Sequence, residues 1–382
     1  MPDSVFAVMD DAKDFAAKNG LKVIDLSLGS SDLNPPVAAI EALQKAVVDK
    51  KTYGYCLHSC TEAFRREAAK WYERKFTKEI DPMKEVLSLI GSQEGMANLL
   101  LATTNPGDMV LMPDPGYPAY FGAVAIAQVQ IEKMPLSEKN GFLVDFSKIE
   151  PKVAKSAKAM IINYPSNPTA GVADEKFMQD AVNFCLKNEI LLIHDFPYVD
   201  MVFDDYKAPS ILKQKGGMDI GIELFTTSKS FHMGGFRMGW AIGNKHAIAA
   251  LKKIKSAIDF NQYVGIQRAA IEAMKAPKSK LAADAKVYQD RRDILVELLN
   301  KSGWNVTTPK ASMYVWAKLP NGLNDSFAFC VDLAKATGVS LAPGRGFGEE
   351  GEGYVRFALV REPDVLKDAV AKISKYLESY GK

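Results

Sequence analysis

The chain has 382 residues, 47% hydrophobic and 25% charged, with 48 basic against 46 acidic side chains and a net charge of +2. That length allows two domains with sizeable cores. The balanced charge gives no reason to expect nucleic acid or an anionic membrane as partner, and no apolar run reaches the ~18 residues needed to span a bilayer.

The chain opens with "MPDSVFAVMDDAKDF", which lacks a basic stretch followed by an apolar one. No secretory signal is read, and a cytoplasmic location is expected; an organellar one after removal of a transit peptide stays open. Residues 1–35 run through "VIDLSLGSSDLNPP" to a proline-rich break and are expected to join a smaller terminal domain. Next come short apolar runs that read as buried strands: "VLSLIG" (86–91), "DMVLMP" (108–113), "AKAMIINYP" (157–165) and "EILLIHD" (189–195). Between and after them, "EGMANLLLATT" (94–104), "EKFMQDAVNFCLKN" (175–188) and "KHAIAALKKIKSAI" (245–258) read as helices. The alternation predicts an α/β fold, with a mainly parallel sheet covered by helices over residues 36–274. From about 275 the texture changes to a long charged helical stretch, "KLAADAKVYQDRRDILVELLNKSG", then "ASMYVWAKLP" and a helical C-terminus. Residues 275–382 are read as a second, smaller α+β domain. Cys56, Cys60, Cys185 and Cys330 are read as reduced thiols, and with only four scattered histidines no metal site is expected.

Sheets of this kind bind ligands at the C-terminal ends of their strands. Four polar loops follow the predicted strands there: "GSQEG" (91–95), "PDPGYPAY" (113–120), "NYPSNPTAG" (163–171) and "HDFPYVD" (194–200). A fifth segment, "FTTSKSFHMGGFRMGW" (225–240), surrounds Lys229 with the hydroxyls of Thr226, Thr227, Ser228 and Ser230, and sets Arg237 eight residues on. Ser92 and Gln93 open a helix whose free N–H groups suit an anion, and Thr226, Ser228 and Arg237 add phosphate-type donors. Asp195 closes an apolar strand, where it is either a structural cap or the partner of a cationic ring nitrogen. Tyr198 and Asn167 could donate to an oxygen of the same ring, and Tyr117 offers an aromatic face. A phosphate, a ring nitrogen, a phenolic oxygen and a lysine amine together describe pyridoxal 5′-phosphate (PLP), which forms a Schiff base with lysine.

The ordered set of "NP", "D-x-x-Y" and "SK" with its arginine resembles the class I/II aminotransferases of fold type I, the aspartate-aminotransferase superfamily. The likeness runs from "IDLSLGSSDL" to "GYVRFALV". It implies a large domain with a seven-stranded, mainly parallel sheet and a smaller domain built from both termini. It implies that Lys229 holds PLP and moves the proton, and that Asp195 pairs with the ring nitrogen. Tyr198 and Asn167 would bond the ring oxygen, and Tyr117 would stack on the ring. Ser92, Gln93, Thr226, Ser228 and Arg237 would bind the phosphate. Gly29 and Arg356 would receive the substrate carboxylate. Tyr55 would reach the phosphate of a neighbouring subunit, so a homodimer with shared sites is implied. The expected substrates are an L-amino acid and a 2-oxo acid.

Three departures from the family pattern stand out. "NPTAG" carries Ala170 where the family usually runs straight to glycine. Cys60 stands where glycine is common after the shared tyrosine. His58, in that same loop, is either an exposed loop residue or a side-chain pocket group reaching across the dimer. The segment "SAIDFNQY" (256–263) lacks the arginine with which aspartate aminotransferases read a second carboxylate. The texture is nearest to an LL-diaminopimelate aminotransferase-like branch. Elimination or cyclisation of the same carbanion, and a non-catalytic PLP-fold binding protein, remain the alternatives.

Overall fold

The structure, a computed structural model, describes residues 5–320 and 322–379. Seven strands form the main sheet: β1 Val86–Leu89, β2 Met109–Asp114, β3 Gln130–Pro135, β4 Ala157–Ile162, β5 Leu191–Asp195, β6 Gly221–Thr226 and β7 Gly239–Gly243. Their spatial order is β1-β7-β6-β5-β4-β2-β3. Only β7 runs against its neighbours β1 and β6; the other pairs are parallel. The seven-stranded, mainly parallel sheet expected from the sequence is therefore present. Helices cover both faces, so the central strands are buried along their length, which is why they read as unbroken apolar runs.

The three helices expected between and after the strands form at Ser92–Thr103, Glu175–Asn188 and Lys245–Ile258, and others not expected join them, among them Glu62–Phe76 and Val264–Met274. Glu175–Asn188 buries Phe177, Met178, Ala181, Val182 and Cys185, and Asp174 caps it by accepting the Phe177 N–H at 2.7 Å. Below β6 and β7, Trp71 meets Trp240 edge-on at 5.1 Å, and Phe225 stacks on Trp240 at 5.6 Å. Aromatic contacts of this geometry contribute about 0.5–1.5 kcal/mol each beyond their buried area. They fix the two strands from which the Lys229 and Arg237 segment springs.

A second core gathers Met9, Ala12, Ile24 and Leu26 with Trp304, Val315, Phe357 and Leu366. Its sheet is antiparallel: β8 Tyr314–Lys318, β9 Ala342–Pro343 and β10 Tyr354–Ala358, in the order β9-β10-β8. Ile24–Asp25 pairs with Val339–Ser340 and ties the N-terminal segment to this unit. The helix Lys278–Lys301 spans both cores: Leu281 packs on the first, while Tyr288, Leu295 and Leu299 bury in the second. No described helix is long and apolar enough to cross a membrane.

Candidate active site

The C-terminal ends of β1, β2, β4, β5 and β6 open on one cavity of about 210 Å³. It is lined by Gly29, Ser92, Gln93, Tyr117, Asn167, Asp195, Tyr198, Thr226, Ser228, Lys229, Arg237 and Arg356, together with Leu28, Asn163, Pro197 and Tyr314. Residues more than 300 positions apart in sequence thus meet. Tyr55 and His58 do not reach it within one chain.

Lys229 sits on a four-residue helix, Thr227–Ser230, that follows β6, and its Nζ donates to the Gly29 carbonyl at 2.5 Å. A Cβ on Gly29 would lie 1.9 Å from the Tyr314 hydroxyl, so any side chain there would force the Tyr314 ring to move. Asp195 closes β5 and is buried. Its Oδ2 accepts the Tyr120 hydroxyl at 2.7 Å, whereas its Oδ1 is buried without a partner. Burial pushes Asp195 up to about 6, against the Tyr120 hydrogen bond and the charges of His194 and Lys229. Asn163 positions the next loop: its Nδ2 donates to the Asp195 carbonyl, and its Oδ1 accepts the Asn167 N–H, both at 2.7 Å.

Arg356, on β10, reaches in from the second unit. It donates to Asn167 Oδ1 at 2.6 Å and to the Ser27 carbonyl at 2.5 Å. The guanidinium lies between the Tyr314 and Phe347 rings, 4.1 and 4.6 Å from their centroids. The Tyr198 hydroxyl donates to Tyr314 at 3.1 Å. Burial raises Tyr198, while Tyr314, equally buried, is drawn down by the charges of Lys229 and Arg356.

On the other side, the helix Ser92–Thr103 begins at Gly91 with no side-chain cap. Gly91 has φ +84, and a Cβ there would lie 2.6 Å from Arg237 Nη2. Arg237 is exposed and takes the left-handed conformation at φ 52. Thr226 Oγ1 lies 2.8 Å from Ser228 Oγ and accepts the Ser228 N–H at 3.1 Å. Uncapped helix amides, two hydroxyls and a guanidinium therefore surround one small volume, a donor set suited to phosphate. Tyr117 bonds Gln93 at 3.2 Å, and burial pushes its hydroxyl up to about 12.

These features test whether PLP fits. The unpaired Oδ1 of Asp195 is a buried acceptor facing a cavity that also holds an amine and a phosphate-type cradle. The residues fit that group.

Comparison with known proteins agrees with the geometry. The family model for "Aminotransferase class I and II" matches residues 21–373. The chain belongs to the class I and II aminotransferases. It is 40% identical to an LL-diaminopimelate aminotransferase of Halothermothrix orenii, over 98% of this chain and 96% of that one. A second LL-diaminopimelate aminotransferase, from Moorella thermoacetica, is 39% identical over 99% and 96%. Among solved structures, a probable N-succinyldiaminopimelate aminotransferase from Thermus thermophilus superposes with a TM-score of 0.94. It is 45% identical, covering 97% of this chain and 100% of that one. The protein is accordingly a PLP-dependent aminotransferase of fold type I.

Sequence reasoning missed Tyr314, Tyr120 and Asn163 in this aminotransferase. Tyr314 begins β8 and comes to the cavity because that strand pairs with β10, which carries Arg356. No local sequence signal marks it, because only that pairing places Tyr314 beside Arg356. Ala170 resolves the altered turn: it takes the left-handed conformation at φ 55, where glycine is favoured. Its N–H donates to the Ser166 carbonyl at 3.2 Å, closing the turn that carries Asn167. Tyr55 is 81% exposed, its ring 4.8 Å from that of Phe260. His58 is half-buried and is held down to about 4 by burial and by the charges of Arg65 and Lys252. Cys56 is buried and Cys60 exposed, both as free thiols.

Proposed function

We propose that this aminotransferase moves the amino group of a long dicarboxylic amino acid of the diaminopimelate type, free or N-acylated, to a 2-oxo acid. The names of its relatives support that substrate class, and the missing arginine in "SAIDFNQY" argues against plain aspartate. The observation that carries the assignment of roles is the meeting of Lys229, the unpaired oxygen of Asp195 and the Arg356–Asn167 pair in one cavity.

When bound, PLP supplies an aldehyde that captures an amine and a ring that accepts the electron pair left on the α-carbon. The protein's own groups do the rest. Asp195, whose Oδ1 has no partner, would accept the N–H of the ring and hold its proton. Ser92, Gln93, Thr226, Ser228 and Arg237 bind the phosphate. Tyr117 covers one ring face. Asn167 Oδ1 is taken by Arg356, which leaves its Nδ2 to donate, together with Tyr198, to the ring oxygen. Arg356 and the Gly29 backbone receive the substrate carboxylate, which orients the α C–H bond. Lys229 Nζ would take up and hold the proton released from that carbon.

The same reading makes the protein a cytoplasmic homodimer. Tyr55, and His58 as a side-chain pocket group, act in the partner's site. It also divides each chain into residues 1–35 with 275–382, and 36–274. Three measurements test it. Borohydride followed by peptide mapping should label Lys229. Amino donor alone should convert the bound aldehyde to the amine form, and a 2-oxo acid should restore it. A donor consumed catalytically with no acceptor would instead establish elimination or cyclisation. Assaying free and N-succinylated diaminopimelate side by side identifies the substrate.

A further inference from the structure

We propose that Gln262 is a positioning residue for the phosphate site. It holds the Arg237 backbone in the conformation that brings the guanidinium beside Gly91, a role that rests on the assignment of Arg237 to the phosphate. Gln262 belongs to "SAIDFNQY", the segment without the second-carboxylate arginine, and none of the roles assigned above uses it.

Arg237 cannot keep that conformation unaided. Its φ of 52 lies in the left-handed region, where a Cβ crowds the backbone. A residue with a side chain stays there only when its surroundings fix it. The three-residue turn ahead of it, Gly234–Phe236, contains no fully buried residue, so hydrogen bonds carry more of its definition. Arg237 supplies one itself, Nη1 donating to the Gly234 carbonyl at 2.9 Å.

Gln262 supplies the ties from outside. Its Nε2 donates to the Arg237 carbonyl at 2.8 Å and to the Phe236 carbonyl at 3.0 Å. A primary amide nitrogen carries two hydrogens and a carbonyl only accepts, so one nitrogen serves both. The amide oxygen accepts the Tyr263 N–H at 3.0 Å, in agreement with that orientation. The two carbonyls belong to the peptide groups on either side of the Arg237 Cα. One side chain therefore constrains both backbone torsions of the arginine.

Gln262 is itself anchored. The buried Gln267 donates to its carbonyl at 2.7 Å. Asn261, just before it, donates its N–H to Asp259 Oδ1 at 2.7 Å and its Nδ2 to the Cys56 carbonyl at 3.1 Å. Asp259 Oδ2 pairs with the buried Lys255 at 2.9 Å, and Lys255 Nζ also reaches Glu94 Oε1 at 3.0 Å. Glu94 Oε2 accepts the N–H of Ile90, next to Gly91, at 2.9 Å. The segment thus grips both walls of the phosphate cradle, Arg237 on one side and the Ile90–Gly91 turn on the other.

Binding to the cofactor-free full chain tests the role, with PLP and with pyridoxal, which has the same ring and aldehyde but no phosphate. Gln262→Met keeps the length of the side chain and removes the amide. It should weaken PLP about tenfold, the scale of one or two lost hydrogen bonds, and leave pyridoxal within about twofold. Equal weakening of both ligands is what a merely structural residue produces, and it overturns the proposal, as does unchanged PLP affinity. Arg237→Gln supplies the reference. It should lose affinity for PLP relative to pyridoxal, and adding Gln262→Met to it should cost nothing further, because the amide acts through the arginine. Additive losses overturn the proposal. An Arg237→Gln protein with undiminished PLP affinity removes the assignment of Arg237 and the role of Gln262 with it. A weakened Arg237→Gln beside an unaffected Gln262→Met removes Gln262 alone. Should Gln262→Met fail to fold, Gln262→Glu keeps the shape and turns a carboxylate towards the same carbonyls. The same split between PLP and pyridoxal is expected there, and its absence overturns the proposal.

Discussion

The cavity and the loop around Tyr55 are built in opposite ways. In the cavity, groups from β1, β2, β4, β5, β6 and β10 converge, and Arg356 and Asp195 are buried with their partners. Around Tyr55 the same chain turns side chains outward: Tyr55 is 81% exposed, with Leu57 at 54%, Ile258 at 57% and Phe260 at 53%. An apolar, aromatic surface of this kind marks a contact site. One region draws its buried groups together within a single chain, while the other leaves its aromatic and apolar side chains facing outward, on the side that the proposed second copy would cover. The distinction predicts which substitutions disturb chemistry within one chain and which act between chains.

The largest effect is expected at Arg356. Arg356→Gln removes a cation that is only 2% exposed and leaves the Ser27 carbonyl and the ring faces of Tyr314 and Phe347 without it. Losing one member of a buried charged pair costs about 2–5 kcal/mol. The KM for both amino donor and oxo acid should rise by about 10²–10³-fold, with a smaller change in kcat. An unchanged KM for both would mean that the substrate carboxylate binds elsewhere than in this cavity.

Asp195 supplies a pH signature. Its folded-state proton affinity, about 6, lies above its ordinary value of 3.8. The folded protein therefore binds more protons than the unfolded chain between those values, and stability falls as pH rises through that window. The full cost is about 3 kcal/mol. Cofactor-free Asp195→Asn escapes it, so its stability advantage over the wild type should grow from about pH 4 to about 6 and then level off. Denaturant unfolding at several pH values measures this. A pH-independent difference would mean that the Asp195 charge is already fully compensated without PLP.

Much of the cavity was legible because its residues follow strands whose apolar runs are distinct. The sheet was only half legible. β3 is an edge strand, "QIEKMP", with mostly half-exposed or exposed side chains, so no apolar run marks it. β6 carries buried Glu223, and β7, "GWAIG", begins and ends in glycine. Both strands hide beside the Lys229 motif. Tyr314 gave no local sign of its role, because only the pairing of β8 with β10 brings it to Arg356. His194 was legible as a strand residue, but its buried partner Glu223 lies 29 positions away and reaches it only through the pairing of β5 with β6. Ala170 is legible in the sequence as an irregularity, but its left-handed backbone is not.

The smallest effect is expected at Tyr55, and it bears most directly on the comparison. Tyr55→Phe removes one hydroxyl from an exposed ring packed on Phe260, so neither folding nor the apolar contact surface should change. If that hydroxyl donates to the phosphate bound by the partner, its loss removes one hydrogen bond to a charged group, worth about 1.5–3 kcal/mol. PLP affinity should fall at least about tenfold, while sedimentation still reports a dimer. Mixing inactive Lys229→Ala with Tyr55→Phe then tests the geometry. In the hybrid, the subunit that retains Lys229 receives its tyrosine from the Lys229→Ala chain. Hybrids should recover wild-type affinity at that one site. A Tyr55→Phe protein with unaltered PLP affinity, or a wild-type protein that is monomeric while fully active, would leave the exposed loop with no part in the chemistry.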